Sequence, residues 1–222
     1  MAKDKKEYVT LITPKGVAVW PHLNSLDEYE GSLTWHTRLA YDPNAPKVAE
    51  FLADLEQRAE AAFEEAKADQ KFAKIRKELR LVSPVKDEVD EEGNETGRKI
   101  IRVKRLGKVS DKSNPKEKKD NSPPKFFDVK GMPLTGARIP RLGAGSEIKA
   151  EVGPSNYCMA ATKQAGITLY LNSVQIIKLV EFGGGGRSPF GDEGEGFTGA
   201  AAEPQGFGDE SGDEESVNGS DF

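Results

Sequence analysis

Arg102 and Lys104 stand two residues apart in the run Arg-Lys-Ile-Ile-Arg-Val-Lys-Arg-Leu at 98–106. In an extended chain, residues two apart share a face. Both cations therefore project to one side, and Ile101 and Val103 to the other. Cations in a row are suited to phosphates in a row. Arg98 opens the run, Lys108, Lys112, Lys116, Lys118 and Lys119 follow it, and Lys125 precedes the aromatic pair Phe126-Phe127. From 98 to 130, twelve Lys/Arg stand against four Asp/Glu, a net +8. Nucleic-acid single strands are held by cations that track the backbone and by aromatic faces on which bases stack. Phe126 and Phe127 are candidate faces, and alternation sends one of them inward. Trp20, before Pro21 at a strand end, and Tyr157, in a Gly-Pro-Ser-Asn-Tyr turn, are the others. Trp35 sits on the apolar side of its strand and reads as core.

Other chemistries find less support. No Gly-Lys-Ser/Thr follows the four glycines at 183–186, so they are no phosphate loop. Gly143-Ala-Gly-Ser reads as a hairpin turn. Cys158, the one cysteine, has neither His22 nor His36 nearby in sequence and reads as no nucleophile. One Cys and two His speak against a Cys/His zinc cluster. The expectation is a protein that is not an enzyme, with no metal and no cofactor. No apolar run approaches the roughly 20 residues of a membrane span, and no secretory signal is visible at the start. A single cysteine excludes an internal disulfide and suits a reducing compartment.

The elements that must position these residues are mostly strands. Residues 8–23 are rich in β-branched and aromatic side chains and read as extended, with 24–31 as a polar connection. In Ser32-Leu-Thr-Trp-His-Thr-Arg-Leu-Ala-Tyr, Leu33, Trp35, Thr37, Leu39 and Tyr41 share one face, and Thr34, His36, Arg38 and Ala40 the other. A long helix over 46–79 follows: Val48, Leu52, Leu55, Ala59, Ala62, Phe63 and Ala66 form one apolar stripe. Its second half turns basic, and Ser83-Pro84 stops it. Residues 87–97 read as an acidic turn, 98–106 as a strand, and 107–124 as a long mobile basic loop. Strands over 147–152 and 167–180 complete the set. Strands, turns and one inserted helix fit a mainly β fold, an OB-fold-like closed or partly closed barrel, spanning residues 1–182.

From Gly183 the composition changes. Residues 183–222 hold ten Asp/Glu against Arg187 alone, a net −9, which leaves +4 to residues 1–182 of a chain with net charge −5. Gly and acid without a core predict a flexible, disordered acidic C-terminal tail. Linked to a cationic groove, it would compete with a nucleic acid there. Asp213, Glu214 and Glu215 supply part of that charge. Asp221 and Phe222 combine charge with an apolar side chain, a handle for a partner's pocket.

These residues also carry a family likeness. The chain resembles the replication single-stranded DNA-binding proteins of short-tailed (podovirus-type) bacteriophages in four features. They are a Met-Ala-Lys start leading into a β segment, the Ala/Glu-rich helix at 46–79, and the run Gly143-Ala-Gly-Ser-Glu-Ile-Lys-Ala-Glu-Val with Tyr157 and a strand ending Phe182-Gly-Gly-Gly. The fourth is the acidic tail ending Asp221-Phe222. The resemblance implies an OB-fold that binds and anneals single-stranded DNA during phage DNA replication, recombination and repair. It implies DNA contacts at Arg102, Lys104 and Tyr157, and a tail that engages the phage DNA polymerase and helicase-primase in the cytoplasm of the infected bacterial host. The basic loop raises the further expectation that duplex DNA is held too. The competing reading is an acidic-tailed protein-interaction adaptor or chaperone without direct DNA binding.

Overall fold

The computed structural model describes residues 9–29, 31–110, 114 and 117–181. The tail, with Asp213, Glu214, Glu215, Asp221 and Phe222, lies outside the described residues, as do Lys112 and Lys116 of the basic loop. In chain order the strands are β1 (Leu11–Ile12), β2 (Gly16–Tyr29), β3 (Ser32–Tyr41), β4 (Arg80–Val82), β5 (Val85–Val89) and β6 (Glu95–Leu106). They continue with β7 (Lys108–Ser110), β8 (Lys118–Asp120), β9 (Lys125–Phe127), β10 (Pro133–Leu134), β11 (Glu147–Met159) and β12 (Gln164–Lys178). One helix, α1 (Pro46–Ala68), lies between β3 and β4.

Five strands close a barrel in the order β11–β2–β3–β6–β12, with β12 returning to β11. The seam is short: Glu147 and Ile148 pair with Val17 and Gly16. Every barrel neighbour is antiparallel except β6 and β12, which run parallel through Leu169↔Val103 and Tyr170↔Lys104. That order, with one parallel pair and a helix inserted after the second barrel strand, is an OB-fold. The interior is filled by side chains two apart on each strand: Leu39, Ile101, Val103, Ile148, Leu169 and Leu171 are all almost fully buried. The apolar stripe of α1 joins the same core, with Val48, Leu52, Leu55, Ala59 and Ala62 at spacings of three and four.

The helix ends eleven residues before the predicted stop, at Ala68. Asp69 turns extended (φ −69°, ψ 127°) and its carboxylate accepts a hydrogen bond from the Lys71 amide at 2.9 Å. A short acidic side chain offers the backbone this alternative to the next helical turn. Two 3₁₀ turns follow, Gln70–Phe72 and Arg76–Glu78. Phe72, Ile75 and Leu79 still face inward, onto a small second cluster with Ala66 and Ala165.

Three further segments differ from the sequence reading. The acidic stretch at 85–97 is a hairpin, because the carboxylate of Asp90 caps its turn, accepting from the Glu92 and Asn94 amides at 3.0 and 2.8 Å. The polar stretch at 24–29 is not a loop but the far half of β2, paired with β3. The Gly-Pro-Ser-Asn-Tyr segment at 153–157 is not a turn either. It is the middle of β11, paired residue by residue with β12.

Candidate nucleic-acid interface

β2 and β3 do not pair evenly. Val19 opposes Arg38 and His22 opposes His36, so Trp20 and Pro21 together face Thr37 alone. This is a β-bulge, and Pro21, which has no amide hydrogen to give the ladder, accounts for its place. Thr37 holds the bulge from inside, its hydroxyl donating to the Val19 carbonyl at 3.3 Å. Trp20 takes the left-handed backbone conformation (φ 53°) and leaves 67 % of its surface exposed. Among the described residues Lys163 is the other non-glycine residue with positive φ. A bulky residue there is strained by about 1–2 kcal/mol, and such strain collects at functional sites.

The register carries the face across three strands. Arg38 of β3 lies directly opposite Arg102 of β6, and His36 lies directly opposite Lys104. On the other side His36 pairs with His22 of β2, their rings stacked 5.0 Å apart. Thr37, Leu39, Ile101 and Val103 point into the core, so the alternate set points outward. The outer face of β2, β3 and β6 thus gathers Trp20, His22, His36, Arg38, Arg102 and Lys104. Like charges directly opposite destabilise a sheet, and Arg38 makes no ion pair among the described residues. His36, 8 % exposed, titrates below its ordinary range. Burial is the main cause, then the Arg102 guanidinium and His22, while Asp27 and Thr34 pull the other way.

A groove of about 680 Å³ runs beside the bulge, lined by Trp20, Pro21, His22, Asn24, Arg141 and Leu142 among others. Asn24 fixes its far wall: its amide donates to the Pro140 carbonyl at 2.9 Å and its oxygen accepts from the Leu142 amide at 3.0 Å. Arg141, between these two anchored residues, lines the same groove as Trp20.

The basic segment after β6 is latched to the barrel. Arg105 donates to the carbonyls of Ser122 at 2.6 Å and Leu171 at 3.1 Å. Asn121 donates to the Leu106 carbonyl at 2.9 Å. Gly107 donates to the Leu33 carbonyl at 2.8 Å, beside the β2–β3 hairpin. Between these latches β7 and β8 form a two-stranded ribbon with Lys108, Lys118 and Lys119 exposed.

The structure sorts the sequence-predicted residues. Trp20, Arg102 and Lys104 fall on one face. Lys125 is exposed on β9, which continues the sheet along β12, and Phe127 beside it is half-buried. Phe126 is 2 % exposed and belongs to the barrel core, so it offers no face to a base; it is the inward member of the pair. Arg98 forms a two-point ion pair with Glu88, at 2.5 and 2.8 Å, and Glu88 is only 7 % exposed. Arg98 therefore neutralises a buried carboxylate instead of extending the cationic stripe. Tyr157 stands opposite Gly166, four residues along β12 from Tyr170, the neighbour of Lys104. That is about 13 Å away. Burial pushes its phenol pKa up. The sequence reading missed Arg38 and Arg141. The strand alternation that put Arg38 with Thr34 and His36 was the signal for the first; Arg141 depends on a contact between residues 116 positions apart.

Barrel order and inserted helix define an OB-fold, and its outer face is cationic with an aromatic edge. Among solved structures the fold is similar to gp2.5, a single-stranded DNA-binding protein encoded by bacteriophage T7. The TM-score is 0.62 at 20 % identity, over 86 % of this chain and 99 % of that one. It is also similar to the single-stranded DNA-binding protein of bacteriophage Enc34 in complex with single-stranded DNA. There the TM-score is 0.50 at 16 % identity, over 81 % of this chain and 95 % of that one. No protein-family model and no curated protein sequence matches the chain.

Proposed function

We propose that this chain is a single-stranded DNA-binding protein of phage DNA replication, recombination and repair, which lays the strand along the outer face of β2, β3 and β6. The direct opposition of Arg38 and Arg102 beside the exposed, left-handed Trp20 carries the reading. Arginines at directly opposed positions of neighbouring strands put two cations within reach of one nucleic-acid backbone, and a phosphodiester is an anion they can share. Trp20 supplies the stacking face, and the bulge sets it at the edge of the same cationic stripe. The fold shared with two phage single-stranded DNA-binding proteins supports the same choice of ligand. Lys125 and Phe127 extend the path along β9, Tyr157 marks a more distant contact, and the Lys-rich ribbon reaches past the barrel.

Residues 1–182 are the DNA-binding domain in this reading, and residues 183–222 act on it and on partners. The tail competes for the face when no strand is bound. Through Asp221 and Phe222 it recruits the DNA polymerase and helicase-primase of the phage, in the host cytoplasm. Fluorescence anisotropy with labelled oligonucleotides tests the central claim. Full-length protein should bind a single-stranded oligonucleotide in preference to the matching duplex, and bind it more weakly as salt rises. Equal affinity for duplex would move the interface to the basic ribbon, and absence of binding would favour the adaptor reading.

A further inference from the structure

Three metal-ligating side chains meet on the β2–β3 surface although they come from separate stretches of sequence. His22 and Asp27 lie on β2, and His36 on β3. One ligand atom from each lies within 4.8 Å of the other two. His36 Nε2 lies 3.9 Å from Asp27 Oδ2. Around a tetrahedral zinc ion, with bonds near 2.0–2.1 Å, donor atoms stand about 3.4 Å apart. Small side-chain rotations close that difference, and His22 and Asp27 are free to make them because both are partly exposed.

The surroundings prepare the donors. His36 Nδ1 lies 3.1 Å from the buried Thr34 hydroxyl. With the Nδ1 proton given to that oxygen, Nε2 keeps its lone pair and faces Asp27. A hydrogen-bonded second ring nitrogen is the usual orienting contact of a metal-bound imidazole. Arg102 beside His36 works against a cation, and the Asp27 carboxylate offsets that charge. His22 also lines the groove next to Trp20, so a fourth coordination position would open toward solvent. Two imidazoles and one carboxylate are a borderline set that suits zinc, nickel and copper better than magnesium or calcium.

We propose that His22, Asp27 and His36 bind one divalent transition-metal ion, zinc first, on the cationic face of the barrel. The composition argued against a cysteine-and-histidine cluster; this site uses no cysteine. It does not depend on DNA binding.

Titration calorimetry of untagged full-length protein with zinc chloride is the test, with cobalt(II) as a visible-absorption probe of coordination. One ion per chain should bind. His22→Gln, at a partly exposed position, should weaken binding at least tenfold while circular dichroism stays unchanged, and Asp27→Asn should weaken it as well. Thr34→Val, which removes the orienting hydroxyl, should cost about tenfold. Zinc affinity unchanged by His22→Gln would place the ion elsewhere, for example on the tail carboxylates, and overturn the proposal. So would the absence of saturable binding.

Discussion

At the scale of single residues, Trp20 ties stability to function most directly. Its left-handed backbone is the conformation glycine adopts without steric cost. Trp20→Gly should therefore leave the unfolding free energy within about 1 kcal/mol of the parent, whereas most large-to-small changes lower it. The same change should weaken single-strand binding by about 1–3 kcal/mol, the usual worth of one stacked base. Chemical denaturation and anisotropy on one preparation read both. Lost stability with unchanged binding would make Trp20 a packing residue. Arg38→Ala should act differently. It removes a proposed phosphate contact at an exposed position, so binding should fall while stability stays within about 0.5 kcal/mol of the parent. The slope of log K against log salt should become shallower by about 0.7; an unchanged slope would remove Arg38 from the path.

At the scale of elements, Gly166 reports how the barrel holds its outer strands. A Cβ built there would stand 2.7 Å from the Val82 carbonyl oxygen, a backbone atom of β4, and 3.6 Å from the Tyr157 ring. β4 pairs with β12 through this residue. Gly166→Ala must therefore push β4 off the edge of β12, at about 1–3 kcal/mol. Amide exchange should show β4 losing protection before the barrel does. The sequence made β3, β6 and β12 legible because their interiors alternate cleanly, as Ile101 and Val103 do against Arg102 and Lys104. It hid β4 and β5. β4 has three residues, too few for a period, and β5 carries Glu88 inward, where the pattern demands an apolar residue. Arg98, ten residues away, makes that tolerable, and no local rule reveals such a pairing. The cationic face was half legible for the same reason. Arg102 and Lys104 show on their own strand, but their alignment with Arg38, His36 and His22 is a fact of register.

At the scale of the whole molecule, the charge distribution sets up a competition that can be measured. Residues 98–130 carry +8 and residues 183–222 carry −9. The two are joined in one chain, and on the proposed reading the acidic segment competes for the cationic face as a tethered ligand, at an effective concentration that can reach the millimolar range. On that reading a single strand displaces it. Deleting residues 183–222 should therefore tighten single-strand binding, by roughly tenfold at low salt. The gap should narrow as salt rises, because screening shortens the reach of both interactions, to about 3 Å at 1 M. The salt dependence separates this from a tail that merely occludes the face by bulk, whose effect would persist at high salt. Replacing Asp213, Glu214 and Glu215 together by Asn, Gln and Gln should reproduce part of the gain without shortening the chain. Equal affinity with and without the tail at every salt concentration would leave the −9 to serve partners alone.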